Sequence, residues 1–370
     1  VTTSLLFIHP SDELYGADRM LLELIAALPP DSTAQVWLPT DLAHPNAPLC
    51  DELARRGVSV RHVDLPILRR AYQTPRGLLT LAVKLARLAE LIRATRPAAV
   101  YCTTSAAFLG IPAARLAGVQ PVIGHVQEIW TETDRRILGI LGRGSRRIIA
   151  ISEAVAQSLT DRLRERTIVV PNATPEPAGR TSLATHDGPL TFVIASRWNG
   201  WKGHRTLLQA WDQSTPPGQL LILAGLPPSG DSVDVPALVA ALKHPDSVTI
   251  VGEVPDSAVF LDQADVVLMP SDQPEPFGLV AIEAFARGRP VIASAGGGLL
   301  DIVTAGSDGW FFTAQDAAGL HTLLAGLTRA DVTSAGARAR WSYEDHYTTD
   351  LFATRWRVAV GKVAVAAATT

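Results

Sequence analysis

Cysteine is nearly missing: Cys50 and Cys102 are the only two in 370 residues. They make no disulfide framework and no metal-ligand spacing, and both read as buried free thiols. No apolar run reaches the length of a membrane-spanning helix. The opening residues VTTSLLFIHP read as a buried strand, without the basic flank and cleavage site of a secretory leader. The expectation is a cytoplasmic protein. No repeat of solenoid type is visible. No Gly-x-Gly-x-x-Gly occurs, which argues against nicotinamide or flavin binding. No Ser-His-Asp grouping or zinc spacing stands out either.

What is present is ordinary globular material: 47% hydrophobic, 19% charged, and long enough for two domains with separate cores. The net charge of −3 is unevenly spread. Residues 1–180 carry 21 Lys+Arg against 17 Asp+Glu, and the remainder 12 against 19. A basic first half suits an anionic membrane or a phosphorylated acceptor. The plainer reading is solvated helix faces.

Strand-like apolar runs alternate with helical patterns throughout, as in parallel sheets of βα units. In the first half the runs are 5–9, 35–38, 58–63, 98–102, 121–125, 147–151 and 167–170, with helices such as 78–96 and 106–117 between them. The stretch 171–189, PNATPEPAGRTSLATHDGP, reads as an interdomain linker. Strands resume at 190–195, 220–224, 247–251, 265–269 and 290–293. Residues 343–360 read as one terminal helix, and 361–370 as a frayed tail. Two doubly wound domains fit this order, with ligands beyond the carboxyl ends of the strands.

The most informative stretch is 272–283, DQPEPFGLVAIE. Pro276 biases Glu275 toward an extended loop conformation. Residues 279–287 read as a helix carrying Glu283 in its second turn. The amides of Phe277, Gly278 and Leu279 then have no partner inside the helix. Bare N–H groups and the helix dipole favour an anion there. An anion flanked by two hydroxyl-accepting carboxylates describes a sugar–diphosphate–ribose ligand. Glu283 has apolar neighbours Ile282, Ala284, Phe285 and Ala286, and an unpaired carboxylate among them would be costly without a hydrogen-bonding partner. Upstream, FVIASRWNGWKG (192–203) runs from a buried strand into a helix at His204. Arg197 and Lys202 lie on the loop between, as a planar fork and a mobile point charge suited to a diphosphate. Surface solubility is the alternative for either alone.

The chain resembles the retaining glycosyltransferases of family 4. The stretch from Glu275 to Glu283 is similar to their E-x7-E signature, and Arg197 and Lys202 to their phosphate-binding pair. Supporting segments are Ile149–Val155, Pro171-Asn172-Ala173, Ala264–Ser271, Gly288–Ala293 and Trp341-Ser342-Tyr343. The resemblance covers nearly the whole chain. It implies a GT-B fold: an acceptor-binding Rossmann-like domain at 1–175, a nucleotide-sugar-binding one at 176–345, a cleft between them, and a helix from 346 returning to the first. It also implies roles. Arg197 and Lys202 would stabilise the leaving diphosphate, Glu275 would hold donor-sugar hydroxyls, and Glu283 those of the ribose. Phe277, Gly278 and Leu279 would hold sugar and phosphates through backbone amides. His125, at a strand end, would contact the donor sugar. Gly16, in Tyr15-Gly16-Ala17-Asp18-Arg19 where the family has Gly-Gly-Ala-Glu-Arg, would approach the diphosphate or acceptor. Gly252 would lie in the base-binding turn. Tyr15 in place of a glycine puts the loop path there in question. Glu128 reads equally as an acceptor contact or a cap.

No Asp-x-Asp pair occurs to hold a divalent ion. Neither a metal nor a cofactor is expected, and the donor is a nucleotide-diphosphate-sugar. The partners implied are that donor, an unidentified acceptor hydroxyl and no nucleic acid. Arg69, Arg70 and Arg76 beside apolar residues suit peripheral contact with an anionic inner membrane face; a helix packed on the sheet is the competing reading. Two other functions fit the same sequence: a GT-B epimerase or hydrolase of UDP-sugars, and a sugar-binding protein without catalysis.

Overall fold

The structure, a computed structural model, describes residues 3–41, 47–69, 74–227, 230–254 and 256–364. The chain divides into two compact units. The first runs from the N-terminus to Ala173 and takes in the residues from Thr349 onward; the second is Thr174–Thr348. The boundaries read from the sequence stand at 175/176 and 345/346.

The first unit holds a sheet of seven strands: β1 (Thr3–Ile8), β2 (Ser32–Pro39), β3 (Ser59–Val63), β4 (Ala99–Cys102), β5 (Val122–Val126), β6 (Arg147–Ala150) and β7 (Thr167–Val169). They lie in the order β3-β2-β1-β4-β5-β6-β7, joined by parallel ladders. The second unit holds six: β8 (Leu190–Ala195), β9 (Gly218–Leu223), β10 (Val248–Gly252), β11 (Val266–Met269), β12 (Val291–Ser294) and β13 (Gly309–Phe312). Their order is β10-β9-β8-β11-β12-β13, again parallel. Both sheets are Rossmann-like and carry helices in the crossovers. Helices cover such sheets on both faces, so central strands read as continuous apolar runs. Leu6, Phe7, Val100 and Tyr101 are fully buried in one core, Phe192, Val193, Val266 and Val267 in the other.

Three elements depart from the sequence reading. The strand β13 was not expected. Its core, Trp310-Phe311-Phe312, is short and follows a polar turn, so no alternation marks it. The run 106–117 is a 3-10 turn, Ser105–Ala107, followed by a helix Gly110–Leu116. The terminal run 343–360 is two helices, Arg329–His346 and Thr349–Ala364. They part because the Tyr347 carbonyl accepts the Thr174 N–H at 3.2 Å and Thr348 bridges to Thr174. Tyr347 is buried and its hydroxyl donates to the Asp301 carbonyl at 3.2 Å. The first helix ends in the second unit; the second packs in the first, where Arg357 Nε donates to the Ala27 carbonyl at 2.7 Å. The helix reaches Ala364, into the expected tail, whose last residues lie outside the described ones.

The stretch 174–189, read from the sequence as part of a linker, belongs to the second unit. Arg289, 1% exposed, donates to the carbonyls of Thr181, Leu261, Asp262 and Arg287. Burial, only partly answered by the Asp262 and Asp265 charges, brings its guanidinium down to about 10. Carbonyl oxygens satisfy the fork and tie the segment down.

Candidate functional site

In the second unit the loop between β8 and the helix His204–Trp211 is clamped at both ends. Trp198 is buried; its N–H donates to the Gly225 carbonyl at 2.8 Å and its indole Nε1 to Leu223 at 3.3 Å. Gly203 sits at φ +75°, where a Cβ would stand 1.7 Å from the Pro270 carbonyl oxygen. Only glycine lets the loop pass the end of β11 that closely. The Asp272 N–H donates to Trp201 at 2.8 Å, and Thr206 Oγ1 donates to Asp272 Oδ1 at 2.7 Å. The loops following β8 and β11 are therefore stitched together, both at carboxyl ends of strands.

That stitching brings Lys202 to Glu275. Lys202 Nζ lies 2.6 Å from Glu275 Oε1, and Ser271 Oγ donates to the same oxygen at 2.5 Å. Glu275 and Ser271 are buried, while the Lys202 side chain is 20% exposed. The ammonium also stands 4.0 Å over the Trp201 ring. A carboxylate held this far from water is tolerable because a cation and a hydroxyl answer it. Its backbone is equally fixed: Glu275 bridges Gly297, and the Gly298 N–H donates to its carbonyl at 2.7 Å. Gly297, at φ +64°, would place a Cβ 2.0 Å from that carbonyl oxygen.

Two residues on, Phe277 is buried and its ring meets Tyr347 edge-on at 6.3 Å. Gly278 caps the helix Leu279–Ala286 at φ +117° and brings no side-chain cap, so the first-turn amides are not closed off by one. Glu283 is half-buried on this helix, between buried Ile282 and Ala284. Arg197 is half-buried on the Lys202 loop. Gly252 ends β10 at φ +83°, beside a register shift against β9. Of the sequence-derived residues, Lys202 and Glu275 are joined by a direct bond; Arg197 shares the loop of one member, and Glu283 follows the other.

Three contributors escaped the sequence reading: Ser271, the Gly296-Gly297-Gly298 turn after β12, and His204. The triple glycine was a signal available in the sequence. His204 is fully buried, and neither ring nitrogen has a hydrogen-bond partner among the described residues. Burial, then the Lys202 charge, lowers it to about 4, so it is neutral.

In the first unit His9, after β1, is locked into a buried network with side chains from the β1 loop, the first helix and the segment after β4. His9 Nδ1 meets Thr103 Oγ1 at 2.7 Å and Nε2 meets Asp18 Oδ1 at 2.7 Å; Ser11 Oγ donates to that oxygen at 2.6 Å. The Tyr15 N–H donates to Asp18 Oδ2 at 2.9 Å, which starts the helix at Gly16. Burial works to raise the Asp18 carboxyl, but His9, Ser11 and the Tyr15 amide outweigh it and hold it below the usual range. Tyr15 itself is exposed, so the loop takes its bulk outward.

His125 lies in β5, one residue before its end, fully buried, and burial lowers it to about 3. Trp356 Nε1 donates to Tyr101 Oη at 3.2 Å, and Tyr101 Oη lies 3.1 Å from His125 Nδ1. An indole only donates, so Tyr101 Oη accepts from Trp356; with a hydrogen and a second lone pair left, the hydroxyl can pair with Nδ1 in either imidazole tautomer. Nε2 has no hydrogen-bond partner among the described residues. Glu128 is half-buried; burial raises its carboxyl against hydrogen bonds from Ser105 and the Gln127 N–H.

Arg69, one of the three basic residues read as membrane-facing, donates to both Asp41 oxygens at 2.7 and 2.8 Å and to the Pro10 carbonyl. Arg70 lies outside the described residues. On the helix Pro75–Thr95, Leu78 and Leu79 are 62% and 69% exposed. Among the described residues no helix is long and apolar enough to cross a membrane.

The family model described as "Glycosyl transferases group 1" matches residues 177–343, and "Glycosyltransferase Family 4" matches residues 16–175. Among curated proteins, the D-inositol 3-phosphate glycosyltransferase of Arthrobacter sp. (strain FB24) is 35% identical over 44% of this chain and 41% of its own. The one from Mycobacterium avium (strain 104) is 34% identical over 39% and 36%. The chain thus spans about two fifths of the length of the curated relatives it matches. Among solved structures, Alr3699/HepE of Anabaena in complex with UDP and glucose superposes with a TM-score of 0.80, covering 97% of this chain and 99% of that one at 21% identity. The lipopolysaccharide outer core galactosyltransferase WaaB superposes with a TM-score of 0.75 at 15% identity, covering 97% and 99%. At these identities the structural likeness speaks for the fold. With two family models spanning nearly the whole of two parallel-sheet units, the chain belongs to the family 4 glycosyltransferases of GT-B fold.

Proposed function

We propose that this protein transfers a sugar, with retention of anomeric configuration, from a nucleotide-diphosphate-sugar to an acceptor hydroxyl, using side-chain cations on the leaving group. The observation that carries the reading is the Lys202–Glu275 pair with Ser271, set beside the open start of the helix Leu279–Ala286. Lys202 has three donors and gives one to Glu275; a diphosphate can take the others. Arg197 on the same loop adds a planar fork. Negative charge grows on the leaving diphosphate, and fixed cations aimed at it stabilise the transition state. Glu275 and the amides of Phe277, Gly278 and Leu279 hold the donor sugar and phosphates. Glu283 takes the ribose hydroxyls and Gly252 lies by the base. In the first unit, which receives the acceptor, Gly16 opens the helix after β1 and His125 contacts the donor sugar. The acceptor hydroxyl bonds to the anomeric carbon on the face from which the diphosphate departs and passes its proton to that leaving phosphate, so neither a side-chain nucleophile nor a side-chain base is needed. Resident metal is dispensable in this scheme, because Arg197 and Lys202 do the work a divalent ion does elsewhere.

The UDP and glucose held by HepE make UDP-sugars the first donors to test, and the curated relatives' name makes a phosphorylated inositol the first acceptor. Thermal shift against UDP-, GDP- and TDP-sugars identifies the donor, since a ligand of the folded state raises its melting temperature. Lys202→Ala and Glu283→Ala should each abolish most of that shift; wild-type shifts in both would overturn the site. Nucleotide release that needs an acceptor, and no added Mg²⁺ or Mn²⁺, supports transfer; full release from donor alone would favour a hydrolase or epimerase. Pull-down by anionic liposomes at low salt tests the peripheral membrane contact.

A further inference from the structure

We propose that Asp12, Cys50 and His62 form a binding site for a zinc-type divalent cation at the edge of the first unit's sheet. The three residues come from the loop after β1, the helix Pro48–Arg55 and the edge strand β3. Their sequence spacing matches no ligand motif. The fold nevertheless gathers one carboxylate oxygen, one thiol sulfur and one imidazole nitrogen within 4.8 Å of one another. Asp12 is 4% exposed and firmly oriented. Its Oδ1 accepts the Cys50 N–H at 2.8 Å, and its Oδ2 stands 3.1 Å from His62 Nε2. The same bond that turns Oδ1 toward Cys50 therefore brings that residue's own side chain up to the carboxylate. The imidazole is partly exposed, which leaves the cluster open to entry from solvent.

The donor set decides the class of ion. Zn²⁺ bonds of about 2.0–2.3 Å in tetrahedral array place ligand atoms roughly 3–4 Å apart, within small side-chain adjustments of this cluster. Thiolate and imidazole donors select against Mg²⁺ and Ca²⁺, which take oxygen. Three protein ligands leave a fourth position for water or a further ligand. A dication binds the Cys50 sulfur as thiolate, so uptake releases protons. The competing account is that Asp12 serves only as a remote cap for the Cys50 amide, paired with a surface histidine.

The test is to strip the full chain of metal and titrate it with Co²⁺. One equivalent should bind with a thiolate-to-cobalt charge-transfer band in the near ultraviolet, displaced by Zn²⁺ and untouched by Mg²⁺. Cys50→Ser should abolish the band. His62→Ala should weaken affinity at least about tenfold, the floor for losing even a supporting ligand contact. Zn²⁺ should also block thiol labelling of the native protein, because the other thiol, Cys102, is fully buried on β4. His62→Ala, at an exposed position, keeps the test open if Asp12→Asn fails to fold. No band at one equivalent, a band surviving Cys50→Ser, or labelling indifferent to Zn²⁺ would each overturn the proposal.

Discussion

The loops that follow the first strand of each sheet occupy the same place in the same topology and are built to opposite ends. After β1, His9 is fully buried between Thr103 and Asp18, and Ser11 and the Tyr15 amide fill the remaining carboxylate positions. After β8, Lys202 reaches a carboxylate supplied by the loop beyond β11, and its side chain stays 20% exposed. In one, the histidine is locked into a fully buried network with Thr103 and Asp18. In the other, the lysine stays partly exposed and keeps donors in reserve. A strand's carboxyl end is thus an opportunity for a site, and the side chains decide whether it is closed or open to a ligand.

The largest effect expected from breaking this contrast is on stability in the closed loop. Asp18→Ala leaves His9 buried without its carboxylate, which should cost about 3–5 kcal/mol in denaturant unfolding. A loss under about 1 kcal/mol would show that the network is not structural. Lys202→Ala should do the reverse. Turnover of the nucleotide-sugar should fall by about 100-fold or more, the scale for losing one charge-stabilising donor. Stability should drop less than in Asp18→Ala, since Ser271 still donates to Glu275 and water can reach the vacated space. Near-normal turnover in Lys202→Ala would remove the functional half of the comparison.

Acid sharpens it further, because each unit buries one neutral histidine. His125 and His204 are lowered to about 3 and about 4, so the unfolded chain binds more protons than the folded one below the ordinary histidine range. Stability is full above about pH 6.5 and falls as pH drops, by up to about 1.4 kcal/mol per pH unit per histidine, until the folded values are reached. His125→Gln and His204→Gln should each flatten the slope of unfolding free energy between about pH 6 and 4.5. Unchanged slopes would mean that the imidazoles are hydrated. Asp18, held low, adds stability that is lost only in stronger acid, as pH falls through its folded value. The smallest effect is at Trp356→Phe. Removing the donor to Tyr101 should cost about 1 kcal/mol in denaturant unfolding.

Much of this was legible because it is local. Runs such as Phe192–Ala195 declare buried parallel strands, and Gly278 before an apolar run declares where a helix starts. Pro276 sets the extended path of Glu275, which the structure shows as a bridge to Gly297. The strand β13 was missed because it is a four-residue edge strand, paired with β12 alone, with no pattern of its own. The break between His346 and Thr349 was missed because a residue far up the chain, Thr174, captures the Tyr347 carbonyl; helical periodicity runs straight through it.

By itself the sequence determined two parallel-sheet units, the order of most of their strands and helices, and the family, since apolar periodicity, proline and glycine act on their immediate neighbours. Only the tertiary structure decided that Lys202 meets Glu275, that Tyr101 and Trp356 fix the face of His125, and that Asp12, Cys50 and His62 converge. Those pairings join side chains dozens to hundreds of residues apart. Their energies depend on burial and on bond geometry of a few tenths of an ångström, which no local pattern in a chain encodes.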